Sequence, residues 1–219
     1  TNFLLFFFAF KYHRSSKNSK AAFFPESHKL EIIWTVIPGI VLAGIIFLGI
    51  TTWNKITDPP AGENIVIELY AKQFDWTVRY AGKDNELGKR NFRKITDTNP
   101  LGLDSTDQNG KDDIIVRNEF HIPKGKTVYF KFGSRDVIHS AYMPHFRAQM
   151  NCVPGMTTEF HYVPTLTTDS IRKRPEVIKN MAEVNAILAK RGESPVEFNY
   201  LLLCNKICGI SHFNMQMNI

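Results

Sequence analysis

The chain opens with apolar blocks and then changes to an alternating pattern that runs almost to its end. Residues 2–10 read NFLLFFFAF, and residues 32–52 read IIWTVIPGIVLAGIIFLGITT without a single charge. Asp58, Pro59 and Pro60 then mark a linker. From Asn64 the pattern is strand-like: NIVIELYAKQFDWTVRYAG sets Ile65, Val66 and Ile67, and then Trp76, Val78 and Tyr80, among polar residues. Residues 82–113 are polar and rich in Gly, Asn and Asp, which predicts a long exposed loop. Further strands are predicted at 114–117, 119–122, 127–132, 157–162 and 198–203, with turns at 123–125 and at Pro154–Gly155. Residues 175–191 break the pattern. Val177, Met181, Val184 and Leu188 recur at helical intervals and Gly192 follows as a stop, so a surface helix is inserted between two strands. Several short strands with turn signals predict a β-sandwich or barrel for this part.

The block at 32–52 is long enough to cross a bilayer, which takes about 20 residues. Trp34 and Trp53 stand near its ends, where aromatic belts form. Pro38 is tolerated there if a neighbouring helix satisfies the freed carbonyl. A buried soluble helix is the bland alternative, but few are apolar all round for this length. Residues 2–10 are too short to span and read as the tail of a first transmembrane helix, truncated at its start. A signal-peptide core would have its basic flank before it rather than after. The stretch 11–29 carries Lys11, Arg14, Lys17, Lys20 and Lys29 against Glu26, so the positive-inside rule makes it a cytoplasmic loop. Both chain ends then lie on the opposite side. The expected division is a transmembrane hairpin at 1–56 and a head domain at 57–219.

The formal net charge of +6 first raises the question of nucleic acid or anionic lipid. Outside the basic loop and Glu31 there remain 22 basic and 19 acidic residues, a balance of +3, with no nucleic-acid-binding motif. A nucleic-acid partner is therefore not expected. Three cysteines are too few for a disulfide scaffold, and Cys152 reads as a small buried hydrophobe.

The candidate chemistry lies in the last sixteen residues, CNKICGISHFNMQMNI. Cys204, Cys208, His212 and Met215 bring two thiols, an imidazole and a thioether into one loop-sized segment, a soft donor set that suits copper. Zinc sites also use Cys and His, and buried cysteines need no metal, so both alternatives stand beside copper on this segment alone. Gly209 gives the chain freedom to fold the second thiol back towards the first. A further donor is His139, in a polar loop after the strand at 127–132. Blue-copper domains combine an upstream His with a C-terminal Cys, His and Met loop. Two thiolates, unlike one, can bridge two ions.

His139 together with C-x3-C-x3-H-x2-M resembles the dinuclear copper A site of subunit II of haem-copper cytochrome c oxidases. The resemblance covers nearly the whole chain except 82–113 and the inserted helix. It implies a membrane-anchored all-β protein: an N-terminal transmembrane helical hairpin and a cupredoxin-like β-sandwich with the helix at 175–191 inserted. It implies two copper ions bridged by Cys204 and Cys208, one also taking His139 and Met215, the other His212 and the backbone carbonyl of Lys206. It implies electron transfer from cytochrome c to haem in subunit I of an aa3-type oxidase that reduces oxygen and pumps protons. It also implies a bacterial cytoplasmic membrane with the copper domain in the periplasm, the mitochondrial inner membrane being the alternative.

Three departures from the family pattern are visible. Lys206 stands where a glutamate usually helps to hold magnesium at the subunit I interface, so magnesium is not expected through this residue. The family run Gln-Trp-Tyr-Trp is Gln73, Phe74, Asp75, Trp76 here, which assigns the electron-accepting point to Phe74, with Trp76 beside it. The head lacks an acidic excess that would steer a basic donor, so a tethered or supercomplex-bound cytochrome c is expected. No C-x-x-C-H haem motif occurs, which assigns haem to partner chains. Glu31, three residues before Trp34, matches a family glutamate that aids proton uptake, although a carboxylate in the headgroup zone needs no function. Membrane-anchored copper chaperones also pair C-x3-C with a distant His, but their Cys pair comes early in a thioredoxin-like fold. A scaffold subunit with structural zinc is a further rival, and a quinol oxidase subunit II would lack the ligands.

Overall fold

The computed structural model describes residues 2–13, 23 and 25–219. Most of the expected basic loop, including Arg14, Lys17 and Lys20, lies outside the described residues. The chain divides into two units, residues 1–51 and 52–219.

In the first unit α1 (Asn2–Lys11) is short and apolar, and α2 (His28–Thr57), whose last turns belong to the second unit, is a 30-residue helix with Pro38 inside it. At 1.5 Å per residue α2 is about 45 Å long, more than the roughly 30 Å hydrocarbon core. Its apolar side chains are exposed on every face, which suits lipid and not water.

In the second unit the strands are β1 (Asn64–Lys72), β2 (Asp75–Tyr80), β3 (Ile114–Val116), β4 (Thr127–Ser134), β5 (His139–Met143), β6 (Ala148–Cys152), β7 (Thr158–Tyr162), β8 (Leu201–Cys204) and β9 (Gln216–Asn218). They form two sheets, one in the order β3-β2-β1-β4-β7 and one in the order β6-β5-β8-β9. Ile67, Leu69, Val128, Phe130, Phe132 and Phe160 from the first sheet pack with Ala141, Met143, Leu202 and Met217 from the second. Each of these positions alternates with residues on the opposite face, as a pleated strand requires. The fold is thus the expected sandwich, with helices α3 (Thr168–Arg172) and α4 (Pro175–Lys190) inserted between β7 and β8. Val177, Met181 and Leu188 of α4 are half-buried, while Val184 remains exposed.

Three expectations need correction. Residues 82–113 are not an exposed loop throughout. β1 is buried on both faces, and its outer face carries Val66, Glu68 and Tyr70. The long loop covers that face. Glu68 accepts from Arg79 at 2.7 Å and from Arg90 at 2.6 Å. Arg79 reaches Asp113 at 2.9 Å and the Gly88 carbonyl at 2.7 Å, and Arg90 lies over the Tyr70 ring. Leu101 of the loop is also buried. Polar composition hid this because the buried groups are charges that satisfy one another. Second, 119–122 is not a strand. Among the described residues its strand pairing is a single isolated bridge from Glu119 to Asn218, while Phe120 fills the core. Third, His139 does not lie in a loop but begins β5, which is buried on both faces and so shows no alternation.

Candidate metal centre

β5 starts at His139 and β8 ends at Cys204, and the two strands pair antiparallel with Ala141 opposite Cys204. The first residue of one inner strand and the last of the other are thereby brought together at one end of the second sheet. The chain then makes one excursion and returns. The Cys204 amide donates to the Met215 carbonyl at 3.0 Å and the Asn205 amide to the Ser140 carbonyl at 3.0 Å, which closes the loop at its base. A single 3-10 turn at His212–Asn214 presents His212 before β9 begins.

His139, Cys204 and Cys208 bring ligand atoms within 4.8 Å of one another, and the Lys206 carbonyl, His212 and Met215 each lie within 4.0 Å of one of the two sulfurs. The Sγ atoms of Cys204 and Cys208 are 3.8 Å apart. Cys204 Sγ is 3.8 Å from His139 Nδ1 and 3.3 Å from the Lys206 carbonyl oxygen. Cys208 Sγ is 3.6 Å from His212 Nδ1 and 4.0 Å from Met215 Sδ. His139, Cys208 and Met215 are buried, and Cys204 is half-buried. The sulfurs are too far apart for a disulfide, whose bond is about 2.05 Å, and all three cysteines are free. They are close enough for one metal ion with bonds of about 2.3 Å to touch both. Burial and the neighbouring Cys204 push the Cys208 thiol up to about 11, so an ion there must replace its proton. The donor set of two sulfurs, two imidazoles, a thioether and a carbonyl fits copper and exceeds what tetrahedral zinc uses.

Asp136 orients His139. Its Oδ1 is 2.9 Å from His139 Nε2, which turns Nδ1 towards the thiols. Burial would raise the Asp136 carboxyl. Donors from the Gln73 amide, His139 and the Val137 amide outweigh that and hold it below its ordinary value. Asp136 was missed in the sequence, where its spacing of three residues before His139 was the available signal.

The remaining sites fall in different places. Trp76 is buried in the core, edge-on to His139 at 6.4 Å between ring centroids. It therefore offers no surface of its own to a docked partner. Phe74 is half-buried in the β1–β2 turn. Lys206 directs its carbonyl inward while the residue itself is exposed. Glu31 stands in the first turn of α2, within the first unit, 3.6 Å from His28. Sequence reasoning also missed the rim of the ligand loop. Ile207, Ile210 and Phe213 are 87%, 90% and 86% exposed, three large apolar side chains within seven residues.

Residues 2–52 match the family described as cytochrome c oxidase subunit II, transmembrane domain. The whole chain is similar to the alternative cytochrome c oxidase subunit 2 of Bradyrhizobium diazoefficiens, 31% identical over 211 residues, covering 96% of this chain and 65% of that one. This chain is therefore similar to cytochrome c oxidase subunit II proteins over nearly its whole length. A probable cytochrome c oxidase subunit 2 of Rickettsia bellii is 27% identical, covering 99% of this chain and 65% of its own length. The chain thus spans 65% of the length of each of these two subunit II relatives. The solved periplasmic domain of subunit II (CoxB) of Bradyrhizobium japonicum is a more distant likeness, 18% identical with a TM-score of 0.41 over 73% of this chain and 83% of that one. α2 overlaps the matched transmembrane segment over residues 28–52 and anchors the chain, and the head is a two-sheet β-sandwich.

Proposed function

We propose that this chain is the electron-accepting subunit of an aa3-type haem-copper cytochrome c oxidase. The convergence of Cys204, Cys208, His139, His212, Met215 and the Lys206 carbonyl carries the reading. Two copper ions held there would supply reversible one-electron transfer. In this reading Cys204 and Cys208, as thiolates, together with His139, Met215, His212 and the Lys206 carbonyl, would hold them. The chain's own work is to keep those donors fixed in both redox states. Strand ends and a loop closed by backbone hydrogen bonds are rigid supports for that work.

The oxidase partners are subunit I, which carries the haem, and the other subunits. The electron donor is a cytochrome c, tethered or held in a supercomplex because the charge balance of +3 gives no attraction for a basic donor. The exposed Ile207, Ile210 and Phe213 suit a close apolar contact over the centre, since patches of this kind mark interaction sites. Phe74 is the point where electrons come in, supported by its half-exposed position in the turn beside the ligand loop. Glu31 aids proton uptake by subunit I. Lys206 excludes magnesium, because an exposed ammonium repels the ion that a glutamate would hold. The subunit is multi-pass, with residues 1–56 as a hairpin in a bacterial cytoplasmic membrane and residues 57–219 in the periplasm.

The test is metal analysis and electron paramagnetic resonance of the full chain purified in detergent. Two copper ions per chain sharing one unpaired electron are expected. One zinc ion or a single isolated copper would overturn the assignment.

A further inference from the structure

The ligand set comes from two separate parts of the fold, β5 with His139 and the loop with Cys208, and no backbone hydrogen bond joins those two residues directly. A third part, the β1–β2 turn, touches both. The Gln73 side-chain amide donates to the Cys208 carbonyl at 2.5 Å. The Gln73 backbone amide donates to Asp136 Oδ2 at 2.7 Å, and Asp136 Oδ1 holds His139 Nε2 at 2.9 Å. One residue therefore grips the loop through its side chain and the strand through its main chain. Gly209 makes room for this grip. A Cβ at that position would lie 2.8 Å from the Phe74 ring and 2.9 Å from Gln73 Nε2, and its φ of +143° disfavours any other residue.

We propose that Gln73 is a positioning residue for the metal centre, bracing the Cys208 side of the ligand loop against the His139 side of the sheet. The proposal rests on the copper reading above and adds to it a residue that ligates nothing. An ordinary exposed turn glutamine would project into solvent. This one ends on the carbonyl of a ligand residue, at the shortest side-chain contact made by the turn.

Gln73→Glu separates the brace from its volume, since it replaces the donating NH2 by an acceptor of the same size. Gln73→Lys keeps a donor of similar reach. Both are compared with wild type as full chains in detergent. The first readout is the rate of copper release to a chelator, and the second is the copper hyperfine splitting. The third, taken on the copper-free chain, is amide hydrogen exchange over residues 204–215. A net hydrogen bond is worth a factor of about 2 to 12, so Gln73→Glu should release copper faster by about that factor, change the splitting and speed exchange in the loop. Gln73→Lys should recover most of the wild-type behaviour. Unchanged release, splitting and exchange in Gln73→Glu would overturn the brace while leaving the copper reading intact. A wild-type chain that holds no copper pair would overturn both. Should Gln73→Glu fail to fold, Gln73→Ala is measured for loop exchange in its place, and a loop as protected as in wild type would refute the proposal.

Discussion

Removing the Asp136 carboxylate tests the idea that the second layer of contacts sets the centre. Asp136 accepts from three donors: His139 Nε2 at 2.9 Å, the Gln73 amide at 2.7 Å and the Val137 amide at 2.7 Å. These three are not equivalent. Gln73 is exposed, and the Val137 amide bonds at an exposed position, so water can replace the carboxylate at both. The His139 side chain is 0% exposed, and its Nε2–H has no route to water. In Asp136→Ala that buried donor is orphaned, at a cost of about 1–3 kcal/mol to the copper-free fold. The ring also loses the contact that keeps Nδ1 facing the thiols. Loss of such a partner lowers metal affinity by about 10- to 100-fold, or about 1.4–2.7 kcal/mol. Copper affinity of the full chain is measured by chelator competition, with melting of the copper-free chain as a control. Asp136→Asn keeps one acceptor and should lie between wild type and Asp136→Ala. If Asp136→Ala binds copper within about twofold of wild type while folded, His139 is held by packing alone and the reasoning fails.

Glu68→Ala should be among the most destabilising changes in the head. It leaves Arg79, only 2% exposed, without the carboxylate oxygen that its Nε and Nη2 share, and breaking a buried pair costs about 3–5 kcal/mol. A melting point unchanged within about 2 °C would contradict that account, since a domain of this size shifts by about 2–4 °C per kcal/mol. Cys152 is fully buried, and burial pushes its thiol up to about 12. In the copper-free native chain at pH 8, iodoacetamide should modify Cys204 and leave Cys152 untouched until denaturant is added. Because the folded pKa of Cys152 is raised, its contribution to stability is complete below the unfolded thiol value near 9 and declines as pH rises from there towards 12, so alkaline melting should show a progressive loss. In the proposed oxidase assembly, turnover with its own donor should stay within about threefold from low to physiological ionic strength, because a head with 21 basic and 19 acidic residues, a balance of +2, provides no long-range attraction for a basic partner. A steep fall with salt would show steering instead.

The local sequence determined the parts of this protein whose chemistry is written in consecutive residues. An uncharged run of apolar residues has one favourable environment, so α2 and its near extent, 28–57 against an expected 32–52, could be read directly. The spacing C-x3-C-x3-H-x2-M places four donors on one short loop whatever the rest of the chain does, and their convergence follows from chain connectivity. Runs of β-branched and aromatic residues bounded by turn signals likewise announced β1, β2, β4 and β7. Tertiary structure decided what depends on contacts between distant segments. β5 could not be read because a strand buried on both faces has no period, and it is the pairing of Ala141 with Cys204 that carries His139 to the thiols. The loop at 82–113 looked solvated because charge is polar by composition, yet Glu68, Arg79, Arg90 and Asp113 neutralise one another beneath it. Trp76 gave no sign of which way it faced, since a residue's neighbours across a sandwich are set by packing of the other sheet. Gln73 and Asp136 are the same case: each is an ordinary polar residue in sequence, and only the folded chain brings one to the Cys208 carbonyl and the other to the His139 ring.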